Sequence, residues 1–157
     1  MIKVCLADNY PVVHFGIKSY FKDHSEISIV ANVGNFAMVK DILLTKEIDV
    51  LVLDLELEGL ASIFEIKSVL KNFPKTKIVF YSGLSEQIYA PNAIKAGVSG
   101  FVHKTEKLET LGQSIIKVNQ GKIIMNEAVM KNIALIAKQS KSERLYRKLS
   151  NREVEVL

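Results

Sequence analysis

Between residues 2 and 121, five short apolar runs alternate with segments whose apolar residues recur at helical spacing. This alternation is typical of βαβ units and predicts a parallel sheet flanked by helices, with right-handed crossovers. The expected strands are Ile2–Ala7, Ile27–Val33, Asp49–Leu55, Lys77–Tyr81 and Gly100–Lys104. We therefore expect an open α/β sheet of five strands.

Polar residues stand before several helical segments, where a side-chain oxygen can accept a hydrogen bond from a free backbone N–H. The expected caps are Asn9, Asn35, Ser85 and Thr105, with Asn126 as the cap of a further helix. Pro11 fits the first turn after Asn9. Pro91 is expected to interrupt the fourth helix or to delay its start.

Four of the apolar runs lead into a polar residue: Asp8, Asp54, Ser82 and Lys104. The carboxyl ends of parallel strands meet at one edge of a sheet, where open α/β proteins bind ligands. Carboxylates are typical ligands of Mg²⁺, and a carboxylate can act as the nucleophile that receives a phosphoryl group. The Lys104 ammonium can contact a phosphoryl oxygen, and the Ser82 hydroxyl can donate a further hydrogen bond. The pattern therefore predicts a metal-assisted phosphoryl site.

The composition indicates one soluble domain with a short appendage, because the 157 residues are 48% apolar and 24% charged. No apolar run approaches the roughly 18 residues of a membrane span. The first residues lead directly into a strand, so we expect no signal peptide. The lone Cys5 lies in that strand and is expected to fill the core. These features predict a reduced, cytoplasmic protein without a membrane partner.

Residues 126–157 carry seven basic and four acidic residues, including all three arginines of the chain, Arg144, Arg147 and Arg152. Arginine favours contact with nucleic-acid phosphates, although a solvated linker explains so few charges equally well. Residues 138–144 are polar and aperiodic, which indicates a linker. Ser150 and Glu153 form a capping box, so a helix is expected to begin as the sequence ends.

Together these motifs resemble the receiver domain of two-component response regulators of the NarL/FixJ type. The similarity covers residues 2–121 and rests on Leu6–Val13, Asp54–Gly59, Phe80–Gly83, Ala96–Phe101 and Lys104. The ending Leu149–Leu157 is similar to the opening of a LuxR-type helix-turn-helix domain. The resemblance implies a flavodoxin-like (CheY-like) fold with strand order 2-1-3-4-5. It also implies a receiver domain over residues 1–122, a helical linker over 123–148 and a truncated DNA-binding domain over 149–157.

By this resemblance Asp54 is the phosphoacceptor, Lys104 contacts the phosphoryl group, and Ser82 and Phe101 form a switch pair. The implied ligands of Mg²⁺ are Asp8, Asn9, Asp54 and the backbone carbonyl of Glu56. The implied partners are a histidine kinase or small phosphodonor, a second copy of the chain, and DNA bound through the missing C-terminal domain. The intact protein would regulate transcription, and we expect no enzyme activity of its own.

One departure from the family pattern bears on the metal. Asn9 stands where the family usually has a second acidic residue, and its carbonyl can coordinate a cation but brings no charge. Losing an anion beside a divalent ion weakens the attraction between the site and the ion. Leu57-Glu58-Gly59 replaces the usual Met-Pro-Gly and adds an acid, and Tyr10 replaces a frequent His. We expect weakened Mg²⁺ binding, with phosphorylation still possible.

Two other interpretations compete with a phosphorylated receiver. A receiver that acts by protein contact without phosphorylation is favoured by Asn9 and opposed by Asp54, Ser82 and Lys104. A flavodoxin-like enzyme or cofactor binder is disfavoured, because no Gly-rich loop follows the first strand and no nucleophile-elbow motif is present. His14, His24 and His103 do not show metal-ligand spacing and are expected to be surface or packing residues.

Overall fold

The computed structural model of the chain describes residues 1–135 and residue 138. The chain forms two compact units, Met1–Met125 and Asn126–Leu157. The first unit contains a five-stranded, wholly parallel sheet in the order β2-β1-β3-β4-β5. The predicted flavodoxin-like fold and strand order are therefore confirmed.

Strands and helices alternate strictly through the first unit. The strands are β1 Ile2–Ala7, β2 Ile27–Val33, β3 Val50–Leu53, β4 Lys77–Ser82 and β5 Gly100–His103. The helices are α1 Pro11–Phe21, α2 Phe36–Thr45, α3 Ile63–Asn72, α4 Glu86–Lys95 and α5 Leu108–Asn119. Compared with the predicted strands, β3 is shorter at both ends, β4 extends to Ser82, and β5 ends before Lys104.

The strands in the middle of the sheet are buried on both faces. All four residues of β3 are buried, as are five of the six residues of β4. This burial explains why these strands read as continuous apolar runs rather than as alternating ones. One apolar layer combines residues of the sheet with buried residues of α1 and α5, among them Ile17, Phe21, Leu111 and Ile115. The rigid sheet therefore fixes the positions of the residues that follow its strands.

The helix starts agree only partly with the predicted caps. Asn35 caps α2, because its Oδ1 accepts a hydrogen bond from Met38 N at 3.0 Å. The predicted caps Asn9 and Thr105 are wrong, since α1 follows Tyr10 and α5 follows Lys107. Both side chains are engaged elsewhere: Asn9 bonds to the β3–α3 loop and Thr105 to His103. Ser85 stands at the N-cap position of α4, but its side chain makes no cap hydrogen bond.

Pro91 lies inside α4, which runs without a break from Glu86 to Lys95. The expected interruption or late start is therefore wrong. Proline removes one hydrogen bond from a helix, and here the buried Ala90 and Ala93 hold the same helix against the core. Packing thus outweighs the local preference of one residue.

The second unit is described only over its first part. Residues 127–135 are helical, and Asn126 caps this helix as predicted, with Oδ1 accepting from Val129 N at 3.0 Å. The predicted start of the DNA-binding domain, residues 149–157, lies outside the described residues. The predicted helical linker, residues 123–148, is described only over residues 123–135 and at residue 138. Within the described residues, no helix is both long and apolar enough to cross a membrane.

Candidate phosphoryl site

Two carboxylates lie side by side at the carboxyl edge of the sheet. Asp8 follows β1 and Asp54 follows β3, and these strands are hydrogen-bonded neighbours. The backbone continues the strand pairing at this point, since Asp54 N donates to Ala7 O at 3.0 Å. Only 1% of Asp8 and 3% of Asp54 is exposed. Two anions therefore lie where water can compensate little of their charge.

Lys104 supplies the compensating charge. Its Nζ lies 2.7 Å from Asp8 Oδ2 and 2.9 Å from Asp54 Oδ2. Burial by itself would lower the pKa of Lys104, but the short contacts of its ammonium with the Asp8 and Asp54 carboxylates outweigh this effect and raise the pKa above its ordinary value. The ammonium is thus held in its charged form between two carboxylates, and the three groups together carry one net negative charge.

The remaining carboxylate oxygens are held by the loops that follow the strands. Asp8 Oδ1 accepts from Tyr10 N at 2.8 Å, and Asp54 Oδ1 accepts from Glu56 N at 3.0 Å. Asp8 Oδ2 is buried, and no donor among the described residues forms a well-oriented hydrogen bond with it. Its contact is the ion pair with Lys104. This oxygen retains the capacity to accept a second positive partner.

Asn9 connects the loop after β1 to the loop after β3. Its Nδ2 donates to the Glu56 carbonyl at 2.7 Å, and its Oδ1 accepts from Glu58 N at 2.8 Å. The resemblance assigned the Asn9 side chain and the Glu56 carbonyl to a metal, whereas here these groups bond to each other. The two loops that carry the carboxylates are thereby joined.

A match over most of the first unit decides the family. The model of the response regulator receiver domain matches residues 4–116 of the chain. The chain belongs to the response regulator receiver family. Related regulators include the Fimbriae Z protein of Escherichia coli strain K12, 27% identical over 154 residues that cover 98% of this chain and 73% of that protein. The response regulator protein VraR of Staphylococcus aureus is 26% identical over 158 residues, covering 99% of this chain and 74% of VraR.

Solved structures of response regulators share the fold of this receiver. The RcsB response regulator of Salmonella typhimurium superimposes with a TM-score of 0.77 at 21% identity, over 85% of this chain and 70% of that one. Structures of RcsB include two dimers bound to two parallel DNAs, and its isolated receiver domain with the phosphomimetic BeF3⁻. These structures show that the chain has the receiver fold.

The donor atoms of this receiver fit a hard divalent cation such as Mg²⁺, which family membership implies. The Asp8 and Asp54 carboxylates and the Glu56 carbonyl are oxygen ligands, the type that Mg²⁺ binds. The buried Asp8 Oδ2 without a well-oriented donor supports this fit. Within the described residues, no group of three or more His, Cys, Asp or Glu side chains could hold a metal by itself. Water and phosphoryl oxygens would therefore have to complete the coordination.

The two predicted switch residues lie on neighbouring strands. Ser82 ends β4 and is fully buried, and its Oγ accepts from Leu84 N at 3.1 Å. Its backbone carbonyl accepts from Lys104 N at 2.8 Å, which places Ser82 next to the lysine along the sheet edge. Phe101 is buried and packs edge-on against Phe80, with ring centroids 6.3 Å apart.

Two aromatic side chains that the sequence analysis did not assign to the site lie beside the Lys104 ammonium, and His103 directly precedes Lys104 in the chain. The rings of Tyr10 and Tyr81 are centred 5.7 Å and 5.9 Å from its Nζ, within cation–π distance. Burial raises the pKa of Tyr81, partly opposed by the Lys104 charge.

His103 joins two loops: its Nε2 bonds to Gly83 O at 3.0 Å, and its Nδ1 accepts from Thr105 N at 3.1 Å. Its position at the end of β5 was the signal that could have identified it.

Proposed function

We propose that this receiver accepts a phosphoryl group on Asp54. The observation that carries the proposal is the buried Asp54 carboxylate beside Asp8, with Lys104 Nζ 2.9 Å away. A carboxylate oxygen of Asp54 would form a bond to phosphorus while the bond from phosphorus to the donor atom breaks. The donor would be the phosphohistidine of a kinase or a small acyl phosphate. The product is an acyl phosphate on Asp54.

Lys104 is suited to stabilise both the free and the phosphorylated states. In the free state it neutralises part of the charge on Asp8 and Asp54. After transfer, its ammonium can pair with a phosphoryl oxygen instead, as a point charge. Mg²⁺, when bound by Asp8 and Asp54, would offset the charge of the incoming phosphoryl group. The charge of the new anion would thus be met by a group that already lies at the site.

We further propose that phosphorylation switches oligomerisation and, through a C-terminal DNA-binding domain, DNA binding. RcsB, which has the same fold, is known as dimers on DNA and with a phosphomimetic on its receiver. In this chain the Ser82 hydroxyl bonds to its own loop and could turn to a phosphoryl oxygen. Phe101 would then repack, and the surface around β5 would change its affinity for a second copy.

The proposed role is that of a signal carrier rather than an enzyme that turns over a substrate. Asp54 would be modified once for each signal, and the acyl phosphate would be lost by hydrolysis. A reducing cytoplasm is part of this proposal, since the single Cys5 has no second cysteine in the chain with which to form a disulfide.

Intact-mass analysis after incubation with acetyl phosphate and Mg²⁺ tests the proposal. The wild-type chain should gain the mass of one phosphoryl group, and the Asp54→Asn variant should gain none. Asp41→Asn, which removes an exposed carboxylate from α2, is the matched control and should be phosphorylated like the wild type. A wild-type chain that gains no adduct, or an adduct that persists in Asp54→Asn, would refute phosphorylation of Asp54.

A further inference from the structure

The side chain of Asn9 fills a position between the two loops of the site, and both of its polar atoms are used. Only the amide nitrogen can donate to the Glu56 carbonyl, and only the amide oxygen can accept from Glu58 N–H. The two distances, 2.7 Å and 2.8 Å, are those of good hydrogen bonds. The partners of Asn9 therefore fix the orientation of its amide group.

We propose that the Asn9 amide replaces the divalent cation as the group that organises the loop after Asp54. A bound cation would present positive charge to the Glu56 carbonyl, and here the Nδ2–H of Asn9 presents its positive end to that same oxygen. The amide oxygen holds Glu58 N at the same time. This proposal deepens the proposed function and rests on it, since it concerns the metal dependence of the Asp54 site.

Three bonds from side chains to backbone hold residues 56–58, the part of the loop nearest to Asp54. Two come from Asn9, and the third joins Asp54 Oδ1 to Glu56 N at 3.0 Å. Lys104 supplies the remaining positive charge to Asp8 and Asp54. A cation that approached the Glu56 carbonyl from the side where the Asn9 amide lies would have to displace this amide. Metal binding in this receiver therefore competes with an internal hydrogen bond.

The substitution Asn9→Asp would make the loop depend on a cation instead of competing with it. Its carboxylate could still accept from Glu58 N–H, but it has no hydrogen to donate to the Glu56 carbonyl. Two oxygens would then face each other at the 2.7 Å position that the amide now occupies. Their repulsion is relieved when a cation lies between them. Asn9→Asp should therefore make loop closure dependent on Mg²⁺.

The experiment compares thermal unfolding of the full chain in chelator and in millimolar Mg²⁺, together with Mg²⁺ titration by calorimetry. Wild type should unfold at a temperature that Mg²⁺ changes little, because a weakly bound ion adds little stability. Asn9→Asp should unfold at lower temperature in chelator, recover in Mg²⁺, and bind Mg²⁺ at least about tenfold more tightly than wild type. Asn9→Ala, which loses both bonds and adds no charge, should be destabilised in both conditions. Asn92→Asp, on an exposed position of α4, is the matched charge control and should show no recovery.

A measurement on the wild type alone keeps the test independent of any variant that fails to fold. Hydrogen exchange of the Glu58 amide, followed by NMR, should be slow and unchanged by Mg²⁺, because Asn9 already holds this group. Exchange that slows only when Mg²⁺ is added would overturn the proposal. It would also be overturned if Asn9→Asp kept the wild-type unfolding temperature in chelator.

The mass assay separates this proposal from the proposed function. If Asn9→Asp shows Mg²⁺-dependent recovery while neither protein acquires a phosphoryl group, the role of Asn9 stands and phosphorylation of Asp54 is refuted. If wild type is phosphorylated on Asp54 but Asn9→Asp shows no recovery and no gain in affinity, phosphorylation stands and the role of Asn9 is refuted.

Discussion

The Lys104 ammonium lies 2.9 Å from the Asp54 carboxylate, although the two residues are 50 positions apart in the sequence. The same nitrogen lies 2.7 Å from Asp8. Neither carboxylate has appreciable access to solvent, so one cation compensates two buried anions. Such an arrangement is sensitive to the loss of its single positive member, because an unpaired buried charge is costly.

Replacing this cation should destabilise the fold. We expect Lys104→Met to lower the free energy of unfolding by about 3 kcal/mol, because Asp8 and Asp54 then repel each other without compensation. Adding Asp8→Asn to this variant should restore part of the loss. Lys3→Met removes an exposed ion pair to Glu47 and should cost no more than about 1 kcal/mol. Chemical denaturation at neutral pH measures all four proteins, and an equal loss for the two lysine variants would contradict the expectation.

Cys5 should make stability depend on alkaline pH. Burial raises the pKa of Cys5 from 9.0 to about 12, partly opposed by the Lys46 charge. The folded state therefore disfavours the thiolate. The stability that depends on the protonated Cys5 thiol is complete below pH 9.0 and is lost as the pH rises from 9.0 toward about 12. The full loss corresponds to about 4 kcal/mol.

Denaturation curves of wild type and Cys5→Ala should reveal this contribution. The raised pKa values of Tyr81 and Lys104 act in the same direction and are present in both proteins. Wild type should therefore lose stability more steeply than Cys5→Ala from about pH 9 upward. Parallel curves for the two proteins would show that the Cys5 thiol ionises as readily in the folded chain as in the unfolded one.

Much of the fold and of the site could be predicted because both depend on regular strands. Buried strands read as apolar runs, and a polar residue directly after such a run lies at the sheet edge whatever the loop does. Asp8, Asp54 and Lys104 were placed in this way, and the structure brings them into contact.

The contacts made by loops could not be predicted from local pattern. Asn9 was expected to cap α1, but the loop path brings it to Glu56 and Glu58, 47 and 49 positions away. Thr105 was expected to cap α5, but its Oγ1 lies 2.7 Å from His103 Nδ1 instead. Polar side chains that can cap a helix can also bond to other loops, and only the tertiary structure decides between these uses.

The Ser82 hydroxyl should change its partner when the site is phosphorylated. In the free protein its Oγ accepts from Leu84 N at 3.1 Å. A beryllofluoride adduct on Asp54 should draw the hydroxyl away, so the amide resonance of Leu84 should shift. We expect the Phe101 ring resonances to shift with it, because the side chain repacks in the proposed switch. In Ser82→Ala the adduct should leave the Phe101 resonances largely unchanged, and equal shifts in both proteins would exclude Ser82 as the switch hydroxyl.

His103 should position the loop that follows Ser82. Its Nδ1 accepts from Thr105 N–H, so its Nε2 carries the hydrogen and donates to the Gly83 carbonyl at 3.0 Å. His103→Ala removes these bonds together with the contact to Thr105 Oγ1 and should lower stability by about 1–2 kcal/mol. It should also slow phosphorylation of Asp54 several-fold, since the loop after Ser82 and the loop that carries Lys104 become less well ordered.

His24→Ala is the matched control for His103→Ala. The His24 Nδ1 accepts from Glu26 N and Ile27 N at 3.0 Å and 3.1 Å, at the start of β2 and therefore at the opposite edge of the sheet. This variant should lose a similar amount of stability and keep the wild-type rate of phosphorylation. Denaturation together with the time course of adduct formation by mass spectrometry separates the two effects. Equal slowing in both variants would mean that His103 acts on phosphorylation only through general stability.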